Sequence, residues 1–195
     1  MADTLEHMAP YRIRIFGDPV LKQRAAEVTD IDGKLVKLSE DMVVTMHAAA
    51  GLGLAAPQVG VQKRLFVYQM GEDEPAVVIV NPTISEARGE WEYEEGCLSI
   101  PGLYFPIVRP KEVHLTGFDL DGREVSIEAD EVLARMFQHE LDHLDGRLLL
   151  EHLSKEQRKS ALKELRRREI EGDRAGRKMV AAGTVRARPD DGWEL

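Results

Sequence analysis

Apolar residues recur at helical spacing in two stretches of the chain and gather as strands in several others. Within residues 32–50, Leu35, Leu38, Met42, Val43 and Met46 fall three and four positions apart, which predicts an amphipathic helix. Gly51 follows where a left-handed residue would end it. Ile13 and Ile15 alternate with arginines until Gly17-Asp18-Pro19 breaks the run, so only a short strand is expected there. The unbroken apolar runs at 65–68 and 77–80 predict strands joined by a polar turn, and a strand-like stretch surrounds Trp91 and Tyr93. Residues 100–110 are proline-rich and predict no element. Residues 113–118 and 124–127 flank Asp121-Gly122, a strong hairpin signal.

A second helix is expected from Asp130, as its N-cap, to Gly146. Val132, Leu133, Met136, Phe137, Leu141 and Leu144 spread around most of that cylinder, so it should be largely buried. Ser154-Lys155-Glu156-Gln157 has the form of a capping box opening a last helix to about Glu171. Its few apolar residues, Ala161, Leu162, Leu165 and Ile170, leave most of it facing water. The layout implies an α+β fold, with antiparallel strands packed around a central buried helix and a charged C-terminal helix. Residues 1–172 are expected to form a single domain and 173–195 a flexible tail, with 1–10 loose.

Composition narrows the class. A chain of 195 residues, 43% hydrophobic and 31% charged, can bury a core without disulfides, and its one cysteine excludes an intrachain bridge. The start lacks a basic segment followed by an apolar run, and no apolar run is long enough for a bilayer. A soluble, cytoplasmic chain without membrane contact is expected, and a lone thiol suits a reducing compartment. The net charge of −9 is unevenly spread: residues 147–188 hold 13 Lys and Arg against 6 Asp and Glu, a local +7 that leaves −16 elsewhere. Such an end is either a solvated helix face or a contact for nucleic acid or another acidic surface.

The chemistry concentrates in Gln138-His139-Glu140-Leu141-Asp142-His143. At about 100° per residue, positions i and i+4 point the same way, so His139 and His143 can share one metal ion while Glu140 sits beside it to take a proton from a bound water. Two histidines leave a catalytic metal one protein ligand short. His152 lies downstream, and Cys97 lies upstream within Glu94-Glu95-Gly96-Cys97-Leu98-Ser99, where it could equally be a small buried apolar residue. Residues 51–60 are rich in glycine and alanine but match neither a phosphate loop nor a dinucleotide fingerprint. Gln58 is the only polar side chain there, and it either bonds its own backbone or aims an amide N–H into a site. A peptidase of the His-Glu-x-x-His class, a closed structural zinc module and an RNA-binding protein with a vestigial site all remain open on these residues.

Three stretches, Gly51-Leu52-Gly53-Leu54-Ala55-Ala56-Pro57-Gln58, Glu95-Gly96-Cys97-Leu98-Ser99 and the His-Glu-x-x-His segment, resemble the signature motifs of the peptide deformylases, in that family's order. In layout the likeness extends over roughly residues 10–165. The resemblance implies a metal-dependent hydrolase that removes the formyl group from the formyl-methionine end of newly made polypeptides and releases formate. It implies that Cys97, His139 and His143 bind one divalent ion, Fe²⁺ natively with Zn²⁺ or Ni²⁺ accepted. Glu140 would then be general acid and base to a metal-activated water, and Gln58 with the Leu98 backbone N–H would stabilise the oxyanion. A slot at the Gly53 and Leu98 backbones would fit the formyl group, and Leu52, Val132 and Met136 are the expected lining for methionine. The basic C-terminal segment would be the place for any ribosome contact.

Overall fold

Leu65, Phe66, Val67 and Tyr68 are all buried, and strand alternation sends them two ways. Leu65 and Val67 join Leu35, Leu38, Met42 and Met46 of the first helix, whereas Phe66 and Tyr68 join Ala134, Met136, Phe137 and Leu144 of the second. A strand covered on both faces needs no polar alternation, which is why this run reads as continuously apolar.

The computed structural model describes residues 11–71 and 73–181, except for the side chains of 169 and 172–181. In chain order the elements are α1 (Gly33–Ala48), β1 (Gly53–Ala55), β2 (Leu65–Tyr68), β3 (Val77–Arg88), β4 (Trp91–Cys97), β5 (Ile100–Arg109), β6 (Glu112–Phe118), β7 (Glu124–Asp130), α2 (Glu131–Leu144) and α3 (Lys155–Ala181). Five strands form an antiparallel sheet in the order β1-β2-β3-β6-β7, and β4 pairs only with β5 as a separate ribbon. Helices α1 and α2 cover opposite faces of the sheet, so the fold is α+β with the motif helix against a strand layer. Phe137 of α2 meets Tyr68 edge to face at 5.3 Å between ring centres and Phe66 at 5.9 Å, which anchors the helix that carries the histidines.

Local signals account for most boundaries. Asp32 caps α1 by accepting the Leu35 N–H at 2.8 Å. In the β6–β7 turn, Asp119 Oδ1 accepts the N–H groups of Asp121 and Arg123 at 2.8 and 2.9 Å, and Gly122 takes φ 74. Asp130 holds the N-cap position of α2 with extended backbone, but its side chain makes no capping bond.

Three expectations need correction. Residues 11–15 form no strand; Arg14 N–H bonds Gln58 O and Phe16 N–H bonds Ser99 O, so this segment is pinned across two loops. The left-handed residue after α1 is Ala50, with φ 52, and not Gly51. Gly51 is small for another reason, because a Cβ there would lie 2.8 Å from Leu98 Cδ1. The proline-rich segment is the strand β5, with Pro106 opposite Glu94. Each strand of a two-stranded ribbon has one unpaired edge, where a missing N–H costs nothing.

Chain contacts divide the protein into two units, Met1–Leu153 and Ser154–Leu195. The second is α3, opened by reciprocal bonds between Ser154 and Gln157: Gln157 N–H to Ser154 Oγ at 3.2 Å, and Ser154 N–H to Gln157 Oε1 at 3.0 Å. The helix runs past Glu171 to Ala181, so the first part of the expected tail is helical backbone; residues 1–10 and 182–195 lie outside the described residues. No helix among the described residues is long and apolar enough to cross a membrane.

Candidate active site

Helix α2 and the end of β4 converge on one point. Cys97 Sγ lies 3.2 Å from His143 Nε2, and one donor atom from each of Cys97, His139 and His143 falls within 4.8 Å of the others. Cys97 and His143 are buried, while the His139 side chain keeps 12% exposure. Burial pushes the Cys97 thiol up, but the charges of His143 and His139 outweigh it and hold its pKa well below the ordinary thiol range. His139 moves the other way, because the Cys97 thiolate and Glu95 overcome its burial and raise its pKa. The pair therefore competes for a proton at the place where a cation would sit.

Glu140 lies beside this cradle, buried, and its Oε2 has no hydrogen-bond partner among the described residues. Burial is the largest influence on its carboxyl and pushes the pKa up to about 7, against the lowering effect of the two histidines. Gly53 passes so close that a Cβ would come within 2.5 Å of Glu140 Oε1, so only bare backbone fits there. Gln58 Oε1 accepts the Ala55 N–H at 2.8 Å, which fixes the orientation of its amide. Gln58 Nε2 therefore faces the other side, where it donates to Ser99 Oγ at 3.2 Å and has a second N–H to offer. Of the two meanings open for Gln58 in the sequence, its Oε1 end makes the backbone bond, and its Nε2 end is held by Ser99.

A cleft of about 490 Å³ opens over these groups, and its walls include Gln58, Cys97, Leu98, His139 and Glu140. The expected substrate residues Leu52, Gly53, Val132 and Met136 line it too. Leu52 and Val132 stand at the mouth, 48% and 37% exposed, while Met136 is buried. His143 lies behind the cleft wall as the deeper histidine. His152, the downstream alternative, bonds Asp142 Oδ2 at 2.7 Å instead of joining the cradle.

The comparisons with known proteins agree on one family. A family profile described as Polypeptide deformylase matches residues 10–159. A peptide deformylase of Acidothermus cellulolyticus is 46% identical over 165 residues, covering 85% of this chain and 91% of that protein. The crystal structure of a Legionella pneumophila peptide deformylase superposes with a TM-score of 0.81 at 40% identity, covering 85% of this chain and 99% of that one. A peptide deformylase from Ehrlichia chaffeensis, solved in complex with actinonin, gives 0.79 at 38% identity over 83% and 98% of the two chains. The chain belongs to the polypeptide deformylase family. Deformylases are metal-dependent hydrolases that remove the N-terminal formyl group from nascent peptides, and this member carries a Cys/His/His site suited to the ion.

The residues present fit a divalent cation by their own chemistry. A thiolate and two imidazoles are donors for borderline and soft divalent ions. Glu140 Oε2, buried beside them, has no protein partner among the described residues. Around the deformylase cradle runs a polar network that the sequence did not reveal. Glu95 Oε1 receives His139 Nδ1 at 2.6 Å, and Arg109 binds Glu95 through two nitrogens at 2.7 and 2.9 Å. Arg135 adds a fourth bond to Glu95 at 2.8 Å, and Arg109 also reaches Asp142 at 2.8 Å. Burial raises the Glu95 carboxyl, but the bonds and charges of His139 and Arg109 bring it well below the ordinary carboxylate range. Arg135 was findable, since it stands four residues before His139 on the same helix face in an otherwise apolar run.

Proposed function

We propose that this deformylase hydrolyses the formyl amide of N-formyl-methionyl peptides at a single divalent ion held by Cys97, His139 and His143. The observation that carries the proposal is the cradle itself: three donors within 4.8 Å of one another, beside a buried carboxylate with one unpaired oxygen. The family resemblance supports Fe²⁺ as the native ion, with Zn²⁺ or Ni²⁺ accepted. When bound, the ion supplies a Lewis acid and acidifies the water it holds.

The chain's own residues do the rest. Glu140 accepts a proton from the attacking water as a C–O bond forms at the formyl carbon. It then hands that proton to the amide nitrogen as the C–N bond breaks, giving formate and a free amine. Burial raises the Glu140 carboxyl above the ordinary carboxylate range, the direction that suits a group which both takes and gives a proton. The second N–H of Gln58 and the backbone N–H of Leu98 meet the formyl oxygen as it gains charge, and one such donor is commonly worth ~3 kcal/mol. Ala55 and Ser99 hold the Gln58 amide in that orientation. The Gly53 backbone narrows the slot for the formyl group, and Leu52, Val132 and Met136 receive the methionine side chain. Actinonin, bound in the solved Ehrlichia enzyme, is expected to occupy this cleft.

We place the protein in the cytoplasm, acting on nascent chains; the basic segment around α3 is either a solvated helix face or the place for contact with ribosomal RNA. Part of its charge is matched within the helix, where Arg167 pairs with Glu164 and Glu171, and Arg168 with Glu164. The test of the site is metal analysis after anaerobic purification, paired with turnover. Wild type should hold one equivalent, Cys97→Ala and His143→Ala should lose it, and Glu140→Ala should keep it while hydrolysis collapses. Metal loss from Glu140→Ala with retention by Cys97→Ala would reverse the assignment of base and ligand.

A further inference from the structure

The thiol and the histidines come from parts of the fold that are held by different forces. Helix α2 packs on the five-stranded sheet through Met136 and Phe137. Cys97 rides on the β4–β5 ribbon, and an isolated two-stranded ribbon is marginally stable. The separation of Cys97 from His139 and His143 therefore depends on what ties ribbon to helix. Two buried arginines make that tie. Arg109 of β5 reaches Asp142 of α2. Arg135 of α2 reaches back to β4, donating to Glu95 Oε2 at 2.8 Å and to the Trp91 carbonyl at 2.6 Å. Its guanidinium carbon also lies 5.1 Å from the centre of the Trp91 ring.

The Glu95 carboxylate shows what depends on this contact. Oε1 accepts from His139 Nδ1 and Arg109, and Oε2 accepts from Arg109 and Arg135. A carboxylate offers about four lone-pair positions, so every one is used. Glu95 and Asp142 are balanced by Arg109 and Arg135, and loss of one arginine would leave a net buried negative charge beside His139.

We infer that Arg135 is a positioning residue of the metal centre. It holds the ribbon on α2 at the separation that the thiolate and histidines require, and it locks the carboxylate that orients the His139 ring. The inference rests on the reading of Cys97, His139 and His143 as ligands. Partners behind a ligating histidine are typically worth 10–100-fold in metal affinity, and Arg135 acts one contact further out, so an effect of about 10-fold is expected.

The experiment uses the full chain, stripped of metal and loaded with Co²⁺, whose visible spectrum reports ligand geometry. Arg135→Met and Arg135→Gln both remove the guanidinium, and whichever folds carries the comparison. Leu35→Ala, a truncation in the core between α1 and the other face of the sheet, controls for general loss of stability. The Arg135 variant should release Co²⁺ to excess chelator about 10-fold faster than wild type, with a shifted spectrum. Leu35→Ala should keep the wild-type spectrum and release rate while its Tm falls. Unchanged spectrum and rate in the Arg135 variant, or equal acceleration in Leu35→Ala, would overturn the inference. A wild-type chain that takes up no Co²⁺ would instead overturn the ligand assignment.

Discussion

Gly53→Ala tests whether the position of Glu140, and not merely its presence, sets the rate. A Cβ on residue 53 would lie 2.5 Å from Glu140 Oε1, 3.0 Å from Cδ and 3.1 Å from Cγ, where ordinary contact begins at 3.4 Å. The carboxylate must therefore retreat by about 0.9 Å, because neither backbone yields easily. Gly53 is paired with Tyr68 in the sheet, and Glu140 sits on a helix anchored by Phe137. A displacement near 1 Å at a reacting group can cost ~10²-fold in rate, or about 2.7 kcal/mol of barrier. The three ligand side chains are untouched, so the metal should stay. The assay is anaerobic steady-state formate release from formyl-Met-Ala, with metal content measured on the same samples. Gly51→Ala is the comparison, since its new Cβ crowds Leu98 Cδ1 at 2.8 Å and the Gly53 carbonyl oxygen at 3.3 Å, neither of which belongs to Glu140. We expect kcat to fall ~10²-fold in Gly53→Ala and only severalfold in Gly51→Ala. A fully metallated Gly53→Ala enzyme with kcat within about threefold of wild type would refute the reasoning.

Gln58→Ala should lower kcat by ~10²–10³-fold with metal content unchanged, as expected for loss of one oxyanion donor; steady-state kinetics with metal analysis checks this. Phe137→Ala should cost ~3–5 kcal/mol of stability in denaturant unfolding, because it empties the aromatic contact that seats α2 on the sheet. Removing residues 154–188 should leave turnover of a short formyl-peptide nearly intact and weaken co-sedimentation with ribosomes. That binding should also fall steeply with salt, and salt-insensitive binding or none would leave α3 as a solvated helix.

The most legible parts of the sequence were those with one strong local cause. The three- and four-residue apolar spacing within residues 32–50 foretold α1, and Asp121-Gly122 foretold the β6–β7 turn. The His-Glu-x-x-His spacing brings its residues together by helix geometry alone, so the candidate cradle was half visible before any tertiary contact was known. What stayed hidden depends on contacts between distant segments. Prolines in β5 argue against a strand, and only its pairing with a single partner makes them harmless. Gly51 has the form of a helix stop, but its size serves the neighbouring Leu98. Glu95 and Arg109 carry no such local signal in the sequence, and only the packing of the ribbon against α2 buries them with Arg135.

The most direct test of the central claim is formate release from three peptides offered anaerobically: formyl-Met-Ala, acetyl-Met-Ala and a peptide without an N-terminal formyl group. Acetyl adds one methyl at the carbon under attack, and a slot bounded by the Gly53 backbone, Leu98 and Gln58 should turn that into misplacement. Formate should appear rapidly from the first peptide, the second should be hydrolysed slowly or not at all, and the third should stay intact. Cleavage of an internal peptide bond with no formate from the first would contradict the account.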